Sequence, residues 1–510
     1  MKQTLIGVDI GTTNIKAVAF STDGSQLASI TTPTITHYPR PGWAQYRPDE
    51  IWRAICKVLN QLMGQLAADI EPAGIAFSSM AESAIPVDAA GQPTYDSIAW
   101  FDHRTVPQSE WWLENIGQEK TTAITGLPVS PMAGILNLMW IRENAPDAFA
   151  RTRSWLNMAD YSVFRLCGVQ ATDHSLASRM MTLDLAQKSW SQTLLEDADL
   201  DASLLAELVP SGMLLGHIHA EAAAATGLPI GLPVCSGGHD HVCGAFALGL
   251  TEAGDVLDSM GTAEGVVLTL NEPNLLPSVT TRSISQGLHV IPDRAYAMGG
   301  VTFSGGSVDW IRQILLGTLQ ADETSTIASF EKMIALASDV PAGSGGVFFL
   351  PHLRQANPPI KDTKARGAFI GLTSEATAGH FVRAVLEGVA YDYQRAFENM
   401  TEAFQIEPQR IYATGGGTRN RLWIEIKAMV CGQEISTPQV NEATCLGAAA
   451  LAGIGAGVYD SFKDANQQLA FTIQRTPTDK NTHKFYRRQY EKVYLKLYDT
   501  LSTIHHVISG

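Results

Sequence analysis

The chain has 510 residues, 45% of them hydrophobic and 17% charged, which supplies a sizeable core and is too little charge for a disordered chain. With 36 Lys plus Arg against 51 Asp plus Glu, the formal charge is −15, which argues against non-specific nucleic-acid binding and against docking on an anionic membrane. No apolar run approaches the ~20 residues that span a bilayer. The opening segment has no leader pattern, and 6 cysteines without a CxxC pair are no disulfide framework, so a soluble cytoplasmic protein is expected.

The runs Leu5–Ile10, Ile15–Phe20 and Gln26–Ile30 are separated by Gly11-Thr12-Thr13-Asn14 and Thr22-Asp23-Gly24-Ser25, the pattern of an antiparallel meander with tight turns. Asp49 is expected to cap a helix in which Ile51, Trp52, Ile55, Val58, Leu59 and Leu62 recur at helical spacing. From Ala73 onward short strands alternate with helical stretches such as Asn137–Glu143 and Ala220–Thr226, so the class is α/β. Near the middle the opening pattern returns as Val256–Met260, the turn Gly261-Thr262-Ala263, and Gly265–Leu270. Asp9 and Asp258 each stand near the end of a β run, just before Gly-Thr. Two related halves are expected, residues 1–246 and 247–510, packed face to face over a cleft. The second half adds the helical stretch Ala376–Met400 and the triplet Gly415-Gly416-Gly417.

In Gly7-Val8-Asp9-Ile10-Gly11-Thr12-Thr13, a glycine at the hairpin tip lets backbone N–H groups converge on an anion, and the hydroxyls of Thr12 and Thr13 add donors. Lys16 could reach the same space, and Asp9 could hold Mg²⁺ through water. An ordinary tight turn is the plain alternative. The second turn, Gly261-Thr262, would supply donors from the other side, and no Walker loop occurs. In Cys235-Ser236-Gly237-Gly238-His239-Asp240-His241-Val242-Cys243, a strand is expected to end at Gly237-Gly238 and a helix to begin at Asp240. There the helix dipole favours the carboxylate anion, which can accept the proton of an attacking hydroxyl. The rivals are a mere N-cap at Asp240 and a zinc site of Cys235, His239, His241 and Cys243, whose spacing fits no common pattern. Gly415-Gly416-Gly417-Thr418-Arg419-Asn420 lies between a strand-like and a helical run and suits a planar ring, while Gly305 opens another helix either as packing or as a phosphate contact.

Together these segments resemble the FGGY family of carbohydrate kinases over nearly the whole chain. Gly7–Thr13 resembles the first phosphate loop, Pro41–Gln45 the stretch before the first long helix, and Thr172–Arg179 the TD-x-S-x-AS segment. Gly238-His239-Asp240 is similar to the catalytic block, Asp258–Thr262 to the second phosphate loop, Ala365–Thr373 with Glu387-Gly388 to the C-terminal signature, and Gly415–Asn420 to the adenosine motif. The resemblance implies two actin-like (ribonuclease H-like) lobes, sugar held mainly by the first and ATP by the second, and Mg-ATP-dependent phosphorylation of a sugar or polyol hydroxyl. It implies Asp240 as general base, Asp9 on the magnesium side, Thr12, Thr13, Gly261 and Thr262 on phosphates, and Gly416 and Asn420 near adenosine.

Substrate identity turns on Ser78–Ser83. Glycerol kinases of the family carry Arg-Glu where this chain has Ala81-Glu82, and xylulose kinases carry Met-His. The autoinducer-2 kinase group resembles the stretch but has arginine at Ala81, and glycerol kinases have tyrosine near Met132. Glu82 is the expected hydroxyl acceptor, with Trp100 as an apolar wall and Asp102 as a second acceptor. A small ketose such as a pentulose, or a polyol, is the expected substrate, and a homodimer is left open. The rival from another class is an actin- or chaperone-like ATPase without a sugar acceptor.

Overall fold

The structure, a computed structural model, describes residues 2–315 and 326–509. They form two compact units. The first comprises Met1–Ala253, Thr269–Ala297 and Val440–Phe471; the second comprises Gly254–Leu268, Met298–Gln439 and Thr472–Gly510. The chain thus first changes unit at Ala253, and two later segments, which no local sequence signal marks, belong to the first unit.

The sheet of the first unit uses β1 (Lys2–Ile10), β2 (Asn14–Ser21), β3 (Gln26–Pro33), β4 (Ile70–Ser79), β5 (Leu214–His217), β6 (Pro233–Cys235) and β7 (Gly238–His239). Its order is β3-β2-β1-β4-β6-β5, with β7 also paired to β4. β1 to β3 form the expected antiparallel meander, while β4 runs parallel to β1, and β6 and β7 run parallel to β4. Parallel neighbours require a crossover, so both faces are covered; the central strands β1 and β4 are buried along most of their length, while the edge strand β3 is only partly buried. Ile6, Val8 and Ile10 join a buried cluster with Ile51, Ile55, Val58, Leu59 and Leu62 of the helix Pro48–Gln65. That helix begins at Pro48, whose fixed φ suits the first helical position, with Arg47 at the cap. Asp49 is therefore a first-turn acid rather than the cap, still favoured by the helix dipole. The opposite face of β1 takes the helix Ala443–Gly455 so closely that a Cβ on Gly7 would lie 1.8 Å from the Cys445 carbonyl oxygen.

The sheet of the second unit includes β8 (Asp255–Met260), β9 (Glu264–Leu270), β10 (Ala295–Val301), β11 (Arg410–Thr414), β12 (Ile435–Pro438) and β13 (Ile473–Thr476) in the order β10-β9-β8-β11-β12-β13. β8 pairs antiparallel with β9 and parallel with β11, as β1 does with β2 and β4. The weak sequence repeat is thus a repeat of sheet order, that of actin-like (ribonuclease H-like) lobes. Its spine is the helix Ala378–Phe404, buried along most of its length and packed on the helices Ser304–Leu315 and Arg421–Cys431.

Candidate active site

At the carboxyl ends of the parallel strands, Asp9 of β1, Ser78 of β4 and Gly238 of β7 stand level, the end of such a sheet where ligands bind. Ser78 Oγ donates to Asp9 Oδ1 at 3.1 Å. Asp240 is the first residue of the helix Asp240–Ala247, but the cap position belongs to His239, so the mere N-cap reading of Asp240 does not apply. Its Oδ1 accepts the His241 N–H at 2.6 Å and lies 3.2 Å from His239 Nε2, and its side chain keeps 25% exposure. Burial and then the charge of Asp240 push the Asp9 carboxyl up to about 7, against the Ser78 hydrogen bond and Lys16. Burial drives His239 down to about 3, so it is a neutral neighbour of Asp240.

The segment Thr172–Arg179 braces this junction. Asp173 caps the short helix His174–Ala177 and accepts the Ser175 and Ser211 hydroxyls at 2.7 Å each. Ser175 Oγ in turn accepts the His239 N–H at 2.8 Å. These buried hydroxyls and the carboxylate hold the strand end that delivers Asp240.

In the Gly11–Asn14 turn, Gly11 N–H donates to the Asn14 carbonyl at 3.0 Å, and Thr12 and Thr13 are half-buried and exposed. Trp100 Nε1 donates to Thr12 Oγ at 2.9 Å. Trp100 thus orients the Thr12 hydroxyl, whose own proton makes only a long contact with Met80 Sδ at 3.9 Å, a tie the sequence did not reveal. Lys16 sits opposite Asp9 on β2, and its Nζ pairs with Glu442 Oε2 at 2.7 Å, just before the helix Ala443–Gly455.

Glu82 has φ of 64°, a left-handed conformation that is strained for this residue and held by its surroundings. Arg179 Nε and Nη2 both donate to its Oε1, at 2.7 and 2.6 Å, while Asn137 Nδ2 donates to its backbone carbonyl at 3.1 Å. Burial raises the Glu82 carboxyl despite Arg179. Ala81 is buried in the core and offers no polar group. Asp102 corrects the sequence reading: Arg104 N–H and Nε donate to its Oδ1 at 2.7 and 3.0 Å, and Arg104 Nη2 and the Ala44 N–H donate to its Oδ2 at 2.8 and 2.5 Å. Its side chain is fully enclosed, so it has no room for a sugar hydroxyl. Arg104 lies 4.1 Å from the Trp43 ring centroid, giving Asp102 an architectural place under that loop.

The cysteine and histidine set does not converge. Cys235 Sγ lies 3.6 Å from the Ala452 carbonyl, Cys243 is buried in the helix, and among the described residues no group of three or more His, Cys, Asp or Glu could hold a metal ion. Asp9 and Asp240 would suit a different partner: the charge of Asp240 raises the cost of ionising Asp9, which a divalent cation would relieve, and Mg²⁺ takes only one or two carboxylates beside phosphates and water.

In the second unit, Gly305 and Gly306 N–H groups donate to the Gly261 and Thr262 carbonyls, each at 3.1 Å. Gly305 is thereby a brace for the turn, and its N–H is spent there rather than free for a phosphate. A Cβ on Gly415, at φ of 88°, would lie 2.6 Å from the Met260 carbonyl oxygen, so the glycine triplet seats against the end of β8. Asn420 Oδ1 caps the helix Arg421–Cys431 through the Trp423 N–H at 3.1 Å. Its Nδ2 is buried without a protein partner, a donor suited to an acceptor on a bound base.

The comparisons agree with this geometry. Residues 4–247 match the N-terminal domain and residues 257–456 the C-terminal domain of the FGGY family of carbohydrate kinases. The chain belongs to that family and is an ATP-dependent carbohydrate kinase. It is 28% identical to a gluconokinase of Bacillus licheniformis (95% of this chain, 94% of the relative) and 27% identical to a xylulose kinase of Staphylococcus xylosus (97% and 99%). A glycerol kinase of Citrifermentans bemidjiense is 30% identical (91% and 92%). The fold of the present chain matches the crystal structure of a xylulose kinase from Rhodospirillum rubrum at a TM-score of 0.89, with 29% identity over 99% of this chain and 100% of that one. Among the described residues no helix is long and apolar enough to cross a membrane.

Proposed function

We propose that this kinase transfers the γ-phosphoryl group of ATP to a primary hydroxyl of a small neutral ketose or polyol, with Asp240 as general base. The observation that carries the reading is the placement of Asp240: a partly exposed carboxylate at the first turn of a helix, with Oδ1 tied to the His241 N–H and Asp9 close enough to feel its charge. Oδ2 takes the hydroxyl proton as the sugar oxygen attacks the γ-phosphorus and the bond to the β,γ-bridging oxygen breaks, releasing ADP. Asp9 would hold Mg²⁺ through water ligands, and the ion, when bound, would offset charge on the phosphate oxygens. Thr12, Thr13, Gly261 and Thr262 are the phosphate donors, and Gly415, Gly416 and Asn420 border adenosine. Both Arg179 bonds fall on Glu82 Oε1, which leaves Oε2 to accept a substrate hydroxyl. Lys16 and Arg179 are each paired with a carboxylate, which favours a neutral substrate over a sugar acid.

An ADP-release assay across pentuloses, hexuloses, tetritols, glycerol and gluconate tests the substrate class. Turnover only with gluconate would overturn the neutral-substrate reading, and acceptor-independent ADP release would favour the ATPase alternative. Asp240→Asn should lower kcat about 10²- to 10⁴-fold, the range of general-base catalysis. ATP affinity should stay within about twofold, and wild-type turnover in this variant would sink the base assignment.

A further inference from the structure

A buried ion network lies under the Gly261–Ala263 turn. Lys427, in the helix Arg421–Cys431, donates through Nζ to Asp258 Oδ2 and to Glu264 Oε1, and all three side chains are fully buried. Ser304 Oγ donates to the other Glu264 oxygen, and Nζ lies 3.7 Å from the Tyr393 ring centroid. Asp258 is three residues before Gly261 and Glu264 directly follows Ala263, so the two carboxylates stand on the two stems of the turn. In the β8/β9 register Asp258 faces Val266 and Met260 faces Glu264, which puts Asp258, Met260 and Glu264 on one face. Lys427 bridges them diagonally.

We propose that Lys427 is a positioning residue for the phosphates of ATP, setting the spacing of the two stems and hence the shape of the Gly261–Ala263 turn. Four further contacts converge on the same block. The turn's carbonyls are drawn onto Gly305 and Gly306. Ser304, one residue earlier, is anchored by Glu264. Met260 meets Gly415 and Gly417. Asn420 caps the very helix that carries Lys427. One cation therefore ties the phosphate turn to the segment read as bordering adenosine. A buried ion triad is a poor source of stability compared with apolar packing of the same volume, and fixing a register is its best-attested use. The inference rests on the reading of Gly261–Ala263 as a phosphate turn.

The test uses the full chain and equilibrium binding of ATP, ADP and AMP. Glu264→Gln, and the double variant Lys427→Met with Asp258→Asn, which removes the cation together with one carboxylate, should weaken ATP and ADP about tenfold or more by displacing the turn. AMP, which lacks the outer phosphates, should bind within about twofold of wild type. A merely structural role would weaken all three nucleotides alike or none, and either result in a folded variant overturns the proposal. Should the double variant fail to fold, Glu264→Gln alone decides. Thr262→Ala separates the layers: if it leaves ATP binding unchanged, the phosphate-turn reading itself fails. If it weakens ATP while the network variants do not, only the role of Lys427 fails.

Discussion

The turns Gly11–Asn14 and Gly261–Ala263 share a Gly-Thr sequence and the same place in their sheets, yet their aspartates do different things. Asp9 stands two residues before its glycine and Asp258 three. Side chains alternate along a strand, so that offset of one residue places the two on opposite faces. Asp9 keeps partial exposure beside Asp240, and the pair's repulsion with burial lifts its carboxyl to about 7. Asp258 is fully buried against Lys427, where burial and Glu264 raise it further. A carboxylate next to a glycine turn is chemistry on one face and framework on the other.

The sharpest way to break this comparison is Asp9→Asn. Turnover should fall about 10²- to 10³-fold, as for loss of a group that organises transferring phosphate. The same variant should be the more stable protein. Ionised Asp9 costs stability because its folded pKa lies above the unfolded value near 4: the cost grows as pH rises from about 4 to 7 and is absent below. Its partial exposure moderates the cost, so Asp9→Asn should gain about 1–2 kcal/mol at pH 8 and nothing at pH 4, read by denaturant titration. An Asp9→Asn protein no more stable than wild type at pH 8 would contradict the strained pairing.

Asp102→Asn should do the reverse, costing about 3 kcal/mol by stranding Arg104 in an enclosed pocket. Acceptor KM in the folded fraction should hardly move; a large rise in KM at full stability would return Asp102 to the sugar site. Ser78→Ala removes a hydrogen bond that favours ionised Asp9. The acid limb of kcat/KM, expected near pH 7, should therefore move to higher pH, and an unmoved limb would detach Asp9 from that limb. The smallest effect belongs to Trp100→Phe. Losing one donor to Thr12 should raise KM for ATP a few-fold, about 1 kcal/mol, and leave the pH profile alone. A changed acceptor KM with normal ATP KM would make Trp100 the sugar wall instead.

The meander, the strand-to-helix junction at Asp240 and both Gly-Thr turns were legible because hydrophobic alternation and turn residues are local signals. The helix Pro48–Gln65 was legible too, though Pro48 displaced the expected cap. Long-range partners left no local mark. Glu442 meets Lys16 and Arg179 meets Glu82 only because distant strands and helices converge. Asp102 looked like an available carboxylate until Arg104 and Ala44 enclosed it, and Glu264 and Lys427 gave no motif to notice.

What the amino-acid order determined by itself is the α/β class and the repeat of strand–turn–strand, since these follow from periodicity and from short segments whose residues act on their own neighbours; the family was legible there only through the resemblance of its ordered motifs. Only tertiary structure decided which carboxylates stay accessible, which become buried ion pairs, and how far Asp9 is displaced from ordinary acidity. Those properties depend on dielectric and on the distance to charges far away in the chain, and neither is written in any local stretch of residues.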